Sequence, residues 1–373
     1  MKRNVQSVAQ RFSAASAGLH PTAQKTRGGG PGLRACATVV CFALLVARPL
    51  AAAEKSTCEW ERVGRVVAIG DVHGAYDRFV EILKAAGLID AELHWSGGTT
   101  HLVQTGDILD RGSDSRKALD LLRQLQREAQ SAGGRVHALV GNHEAMRMIG
   151  DFRFVSPGEY AAFERADSES ARVRYMNSPG SAADREQVEK LPLGFLEMRV
   201  AFGRDGEYGR WLRQNPATVT INGFVFVHGG ISQAFATFGC DAINDRLRKD
   251  LTNDLEKTRA APLATMAGRA DGPLWYRGLA QEPDAFAPQV DDILSKLHAR
   301  AIVIAHTVTT PGRVITRFGG RVIQIDTGMN PAYVSDGKAS ALEIRGDEVA
   351  AIYVDRREAL SVPPRVGSAI GDR

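Results

Sequence analysis

The chain has 373 residues, of which 44% are hydrophobic and 24% charged, a composition typical of a globular protein with a substantial core. Its formal charge of +4 would favour an acidic partner such as nucleic acid, but residues 1–53 hold seven basic residues and no acidic one. The rest of the chain carries 40 basic and 43 acidic residues, a net charge of −3, so no nucleic-acid partner is expected.

Residues 1–53 have the pattern of a signal or targeting segment. A basic, Ser/Gly-rich run ends at Arg34, the apolar stretch ACATVVCFALLVA follows, and small residues suited to cleavage precede Glu54. The apolar stretch is short for a bilayer span, which favours a periplasmic or secreted protein with no stable span after cleavage. An uncleaved anchor and a misplaced start are the alternatives.

The four cysteines divide between this segment and the rest of the chain. Cys36 and Cys41 lie in the apolar stretch and would leave with it, whereas Cys58 and Cys240 would remain. In an oxidising compartment the remaining two could form one disulfide, or they could be unrelated thiols. Neither has metal-ligand spacing.

From residue 63 onward, short apolar runs alternate with polar turns and amphipathic stretches, a pattern that predicts an α/β fold. The strand RVVAIG (65–70) precedes a helix whose apolar residues recur at helical spacing up to Gly87. THLVQTG (100–106) is a second strand, and Ser113 or Asp114 would cap the helix that follows it. RVHALVG (135–141) is the third strand.

The second half of the chain predicts further strands and two excursions from the sheet. Residues 151–215 and 232–298 are the excursions, either helical inserts that shape a substrate site or solvated decoration. Strands return in GFVFVHGG, AIVIAHT and RVIQIDTG, and ALEIRGDEVAAIYV predicts a hairpin about Gly346-Asp347. The expected domain therefore covers 54–360, followed by a polar tail, 361–373.

Five predicted strands end in side chains that can bind a metal or a phosphate. These side chains are Asp71 and His73, Asp107, Asp110 and Arg111, Asn142 and His143, His228, and His306. Ligands of α/β sheets bind beyond the carboxyl ends of the strands, so these residues are expected to converge on one pocket. The remaining histidines after residue 53, His94, His101, His137 and His298, are read as core or turn residues.

The donor set of this expected pocket predicts a pair of metal ions. Carboxylate, amide and imidazole ligands together suit Mn, Fe or Zn better than Ca or Mg. The six ligands would be Asp71, His73, Asp107, Asn142, His228 and His306, with Asp107 shared by both ions. Two adjacent ions are a recurrent device for hydrolysing phosphate esters.

Three neighbouring residues would supply the rest of the chemistry. His143 stands next to a predicted ligand and could protonate the leaving oxygen. Asp110 could orient that imidazole and keep it cationic. Arg111 offers a planar fork suited to a phosphate group.

The motifs GDVHG (70–74), GDILDRG (106–112) and GNHE (141–144), with His228 and His306, resemble the calcineurin-like metallophosphoesterases of phosphoprotein phosphatase type. The stretch PLGFLEMRVAFGRDGEYGRWLR before FVHGGIS, together with GPLWYRG and IDTGM, resembles more narrowly the bacterial and plant Shewanella-like phosphatases. This resemblance covers roughly 63–354. It implies a metallophosphoesterase β-sandwich of mixed sheets flanked by helices, and the same metal ligands and acid–base pair as above.

The resemblance also implies a second phosphate clamp and a substrate class. Arg277 in WYRG would be the second arginine, and Tyr276 would either line the pocket or pair with Trp275. The expected substrates are phosphoproteins, with phosphotyrosine preferred over phosphoserine and phosphothreonine. A dinucleoside polyphosphate or other small phosphate ester is the alternative substrate, and a metal-bearing module that only binds phosphorylated surfaces is the alternative from another class.

Overall fold

A computed structural model of the protein describes residues 58–179, 182–310 and 312–364, and only the backbone of residues 182–184. The predicted targeting segment, with Cys36 and Cys41, and the end of the predicted tail lie outside the described residues. The strands in the described part are β1 (Glu59–Trp60), β2 (Val66–Ile69), β3 (His101–Gln104), β4 (Arg135–Ala138), β5 (Thr218–Ile221), β6 (Phe224–Val227), β7 (Ala301–Ile304), β8 (Ile315–Arg317), β9 (Val322–Gln324), β10 (Ser340–Arg345), β11 (Glu348–Tyr353) and β12 (Arg357–Leu360).

The strands form two mixed sheets of six strands each. One sheet has the order β12-β11-β10-β2-β3-β4 and the other β1-β5-β6-β7-β9-β8. β2, β3 and β4 are parallel neighbours in the first sheet, and β6, β7 and β9 are parallel neighbours in the second. β10 and β11 form the predicted antiparallel hairpin. The predicted fold of two mixed sheets flanked by helices is confirmed.

Helices follow the strands and fill the two excursions. They are α1 (Tyr76–Ala85), α2 (Ser115–Ser131), α3 (Asn142–Ile149), α4 (Pro157–Ala161), α5 (Ser168–Met176), α6 (Ala182–Lys190), α7 (Phe195–Phe202), α8 (Glu207–Gln214), α9 (Cys240–Leu251), α10 (Leu255–Ala260), α11 (Gly278–Gln281) and α12 (Ala287–Leu297). Asp114 stands at the N-cap of α2, but its side chain makes no capping hydrogen bond. No helix in the described part of the chain is long and apolar enough to cross a membrane.

Alternation along the central strands divides the core into two layers. In β2, Val66 and Ala68 face the second sheet, whereas Val67 and Ile69 face the helices. The layer between the sheets also contains Phe224 and Phe226 of β6. The carboxyl ends of the parallel strands of both sheets come to the same edge of the sandwich, since residues that follow β2, β3, β4 and β7 line one cavity there.

The two cysteines of the folded part form a disulfide. Cys58 and Cys240 have their Cα atoms 6.2 Å apart and their sulfurs at bonding distance. The bond links the start of β1 to the start of α9, which are 182 residues apart in the chain. Of the two alternatives left by the sequence, the disulfide is therefore the one that the structure contains. Such a link reduces the conformational freedom of the unfolded chain.

A buried pair of histidines, on strands β3 and β4, lies between the sheets. His101 and His137 are 8% and 7% exposed, and their ring nitrogens Nδ1 and Nε2 lie 3.1 Å apart. Trp60 packs edge-on against both rings, and the Arg135 guanidinium covers Trp60 at 4.3 Å. Burial, with help from Arg135, lowers the pKa of His101 to about 4. Burial, with His101 and Arg135, lowers the pKa of His137 to about 3.

This pair should make the protein less stable in mild acid. Below pH 6.5 the unfolded chain takes up a proton at each histidine while the folded chain does not, so stability falls with pH until the folded pKa is reached. Between pH 6.5 and 5, the free energy of unfolding of the wild type should fall by roughly 2 kcal/mol more than that of His137→Leu. Urea unfolding at the two pH values measures both falls. Equal losses in the two proteins would contradict this assignment.

Candidate metal centre and active site

The predicted site residues meet in a cavity of about 160 Å³ at the shared edge of the two sheets. Its walls are formed by Asp71, His73, Asp107, Arg111, Asn142, His143, Phe154, Trp275, Arg277, His306, Val308, Asp326 and Tyr333. His228 lies directly behind this wall and is fully buried. Asp110 is also buried and contacts His143. The structure thus brings together all ten residues that the sequence assigned to the site.

The loops that carry these side chains adopt unusual backbone conformations. Five non-glycine residues of the site have positive φ angles, namely His73 (47°), Asp107 (54°), Asp110 (71°), Arg111 (70°) and His306 (65°). L-residues rarely adopt this region, and such conformations persist only where the surroundings hold them. The clustering is typical of a functional site.

Glu144 is one of the groups that hold these loops. Its buried carboxylate accepts hydrogen bonds from the backbone N–H groups of Asp107 (2.7 Å), Ile108 (2.9 Å), Leu109 (3.2 Å) and Gly141 (2.9 Å). Gly141 permits this close approach, because a Cβ there would lie 2.3 Å from Asp107 Oδ1. The final residue of GNHE therefore fastens two site loops together, a role that the sequence did not reveal.

The first group of potential ligands surrounds His73. Its Nδ1 lies 2.8 Å from the Leu109 carbonyl oxygen, so Nδ1 carries the hydrogen and Nε2 presents its lone pair to the cavity. This Nε2 is 3.8 Å from Asp71 Oδ2 and 3.8 Å from Asp107 Oδ2. Ligand atoms of His73, Asp107 and His143 also lie within 4.8 Å of one another.

The second group surrounds His228. Its Nδ1 is 3.0 Å from the Thr105 carbonyl oxygen, which again directs the lone pair of Nε2 toward the cavity. That Nε2 lies 2.8 Å from Asn142 Oδ1, 3.2 Å from His306 Nδ1 and 3.2 Å from Asp107 Oδ2. Asp107 belongs to the group around His73 and to the group around His228. A ligand that is shared by two metal ions must occupy such a position.

The electrostatics of both groups fit bound cations. The Nε2 lone pair of His228 faces the acceptor oxygen of Asn142, and His306 Nε2 is buried with no hydrogen-bond partner among the described residues. Burial, together with the charges of Asp326 and Asp107, raises the pKa of Asp71 well above its usual range. A bound cation would offset the repulsion between acceptors that face one another and the repulsion between neighbouring carboxylates. The donor set is therefore suited to divalent metals.

His143 makes a short hydrogen bond to Asp110. Its Nδ1 lies 2.6 Å from Asp110 Oδ2, and its Nε2 is 3.8 Å from Asp107 Oδ2. Burial lowers the pKa of His143, but the charges of Asp107 and Asp110 outweigh it, so the pKa lies above its usual value. The bond to Asp110 thus favours the protonated imidazole, with Nδ1 directed to Asp110 and Nε2 on the side of Asp107.

The two predicted phosphate clamps both line the cavity. The guanidinium of Arg111 lies between the rings of Tyr333 (3.8 Å) and Phe154 (5.0 Å). Arg277 is fixed by hydrogen bonds of 2.8 Å to the His306 carbonyl and of 2.8 Å to Thr307 Oγ1. Both guanidinium groups retain donors for an anion.

The structure adds site residues that the sequence analysis missed. Asp326 is the second residue after β9, is 2% exposed, and hydrogen-bonds the Asp71 side chain. The strand-end signal that found Asp71 could have found it. Phe154 and Tyr333 lie in loops, where no periodicity marks them. Of the WYRG aromatics, Trp275 lines the cavity and Tyr276 does not.

Comparison with known proteins identifies the class. The chain belongs to the calcineurin-like phosphoesterases, whose family model matches residues 64–309. It is therefore a metal-dependent phosphoesterase that acts on phosphorylated substrates.

Within that class, the chain is similar to the Shewanella-like protein phosphatases. It is 32% identical over 305 residues to Shewanella-like protein phosphatase 2 of Arabidopsis thaliana, with 77% of each chain covered. It is 27% identical over 271 residues to Shewanella-like protein phosphatase 1 of Plasmodium berghei, covering 72% of this chain and 67% of the relative. The structure of a cold-active protein-tyrosine phosphatase from a psychrophilic Shewanella species superimposes with a TM-score of 0.65 at 30% identity, covering 82% and 83% of the two chains.

Proposed function

We propose that the protein is a two-metal phosphomonoesterase of phosphoproteins that prefers phosphotyrosine to phosphoserine and phosphothreonine. The observation that carries the proposal is a phosphate-sized cavity with two groups of metal ligands at its base and aromatic rings at its mouth. The tyrosine phosphatase activity named for the Shewanella structure supports the preference. Two metal ions, Mn, Fe or Zn, would activate the attacking water and screen the phosphate charge.

The side chains have separate tasks in this proposal. Asp71, His73 and Asp107 would hold one ion, and Asp107, Asn142, His228 and His306 would hold the other. Arg111 and Arg277 bind the phosphate oxygens, which positions the phosphorus for attack by water. As the P–O bond breaks, His143 donates its Nε2 proton to the leaving oxygen, and Asp110 stabilises the cationic ring before transfer.

The aromatic mouth supports an aryl substrate. Phe154 and Tyr333 are 39% and 45% exposed, and both rings flank Arg111. A phosphotyrosine whose phosphate reaches Arg111 would place its ring against these side chains. Such aromatic contacts are worth about 0.5–1.5 kcal/mol each beyond the area they bury. A phosphoserine has no ring to make this contact.

Substrate comparison tests the proposal. Phosphate release from matched phosphotyrosine and phosphoserine peptides and from diadenosine tetraphosphate should be fastest for phosphotyrosine. Phe154→Ala and Tyr333→Ala should lower the phosphotyrosine-to-phosphoserine ratio of kcat/KM by about 3- to 10-fold each, the loss of one aromatic contact.

Phe238→Ala is the matched control, because this ring is 45% exposed and lies outside the cavity walls. It should leave the ratio unchanged. A preference for the dinucleotide would retain the two-metal chemistry and assign a small-molecule substrate. If none of the three compounds released phosphate, a module that only binds phosphorylated surfaces would become the better assignment.

A further inference from the structure

Hydrogen bonds join the segment between α3 and α4, and the start of α4, to the loop that carries Asp110 and Arg111. The Arg111 backbone N–H donates to the Phe154 carbonyl at 2.9 Å, and Ser156 Oγ donates to the Gly112 carbonyl at 2.8 Å. Glu159, on α4, accepts from the backbone N–H of Asp110 at 3.1 Å. The first helix of the 151–215 excursion therefore contacts the active-site loop directly.

A chain of alternating charges runs inward from α4 to His143. Glu159 Oε2 accepts from Arg147 at 2.8 Å, and the same Arg147 nitrogen donates to Asp110 Oδ1 at 2.5 Å. The other Asp110 oxygen bonds His143. Exposures of Glu159, Arg147, Asp110 and His143 lie between 1% and 3%. Buried charges are costly unless paired, so each member depends on its neighbours.

We propose that Arg147 and Glu159 are positioning residues that act through Asp110 to align His143 for proton donation, an inference that rests on the proposed function. Asp110 has a φ of 71°, a conformation that must be held from outside, and Glu159 holds its N–H. Arg147 occupies Oδ1, which leaves Oδ2 for His143. Arg147 itself is held on its other side by Met198 and Phe202.

This geometry gives the helical excursion a specific role. Without the α4 carboxylate, Arg147 would lose one of its two buried anions and Asp110 one of its backbone restraints. The hydrogen bond between His143 and Asp110 would then vary more in length and angle. Groups that transfer protons in the transition state are sensitive to such small misplacements. The metal ligands make no contact with Glu159, so metal binding should survive its replacement.

Leaving-group dependence provides the test. With phenyl phosphate, whose leaving group needs a proton, Glu159→Gln should lower kcat by about 10- to 50-fold, a part of the effect of a general acid. With p-nitrophenyl phosphate, whose leaving group is a much weaker base, the loss should stay below about 3-fold. KM and the bound metal content, measured by elemental analysis of the purified enzyme, should remain near wild type. Arg147→Lys keeps the charge and should retain most of the activity.

Glu343→Gln is the matched control. Glu343 is 2% exposed and pairs with Arg65 at 2.7 Å, remote from the cavity walls. It should affect both substrates alike. If Glu159→Gln does not fold, the double variant Arg147→Met/Glu159→Gln removes both partners and leaves no unpaired charge between them. It should show the same dependence on the leaving group.

Two results would overturn the proposal. Wild-type kcat with phenyl phosphate in Glu159→Gln, or in the double variant, would show that the charge chain does not act on proton donation. Equal losses with both substrates would show a general structural defect. Failure of the proposed function has a different signature, because His143→Asn would then itself lose no more activity with phenyl phosphate than with p-nitrophenyl phosphate.

Discussion

Asp107→Asn should lower kcat/KM by at least about 10⁴-fold, since the proposed metal pair supplies much of an acceleration that exceeds 10⁶-fold in most enzymes. Asp107 is the only residue that belongs to both potential metal groups among the described residues. One of its oxygens lies 3.2 Å from His228 Nε2 and 3.8 Å from His73 Nε2. Asparagine has the same shape but lacks the negative charge. We therefore expect both affinity for the metals and activity to be lost.

Metal analysis and a matched variant make this result interpretable. The wild type reconstituted with Mn should hold two ions per chain, and Asp107→Asn should hold fewer after the same dialysis. Asp250→Asn replaces an equally buried aspartate that lies on α9 and pairs with Arg246, away from the cavity walls. It should keep both ions and most activity. If Asp107→Asn kept two ions and a tenth of the wild-type rate, a bridging role would be wrong.

The site was predictable from the sequence because its residues follow strands. Apolar runs that end in GD, GNH or HG identify the carboxyl ends of parallel strands, and the topology of the sheets brings those ends together. The sequence alone therefore predicts one pocket that contains Asp71, Asn142, His228 and His306. Asp326 follows β9 in the same way, so the same pattern would have placed it in this pocket.

The residues that sequence analysis missed are those whose role depends on tertiary contacts. Glu144 was visible in GNHE, but its four backbone partners come from two separate loops. Glu159 lies 49 residues beyond Asp110 in a segment with no strand pattern, and its role follows from the packing of α4 on the loop. Phe154 and Tyr333 are aromatic residues of irregular loops. Neither spacing nor periodicity distinguishes them from other exposed rings.

For the His101–His137 pair, the interpretation from the sequence agrees with the position in the structure. The sequence analysis treated both residues as core or turn histidines, and the structure places them between the sheets and away from the metal ligands. Strand alternation accounts for this position, because His101 faces the same side of β3 as Val103. A histidine within a strand and a histidine after a strand thus have different environments. That difference separates structural from functional histidines in this fold.

His143→Asn should lower kcat by about 10²- to 10⁴-fold with phenyl phosphate, the usual contribution of a general acid. Asparagine can still bond Asp110 but has no proton of suitable acidity to donate. With p-nitrophenyl phosphate the loss should be much smaller, because that leaving group departs readily as the anion. Stopped assays of both esters under saturating conditions would measure the two losses.

Metal content decides between the two roles that the geometry of His143 permits. Its Nε2 lies 3.8 Å from Asp107 Oδ2, close enough for His143 to be grouped with His73 and Asp107 around one ion. A ligand would be neutral at that nitrogen, whereas the bond to Asp110 and the raised pKa favour a cation. If His143→Asn retains two Mn ions and loses activity according to the leaving group, His143 is the proton donor. If it loses an ion and fails equally with both esters, His143 is a ligand and the acid must be sought elsewhere in the cavity wall.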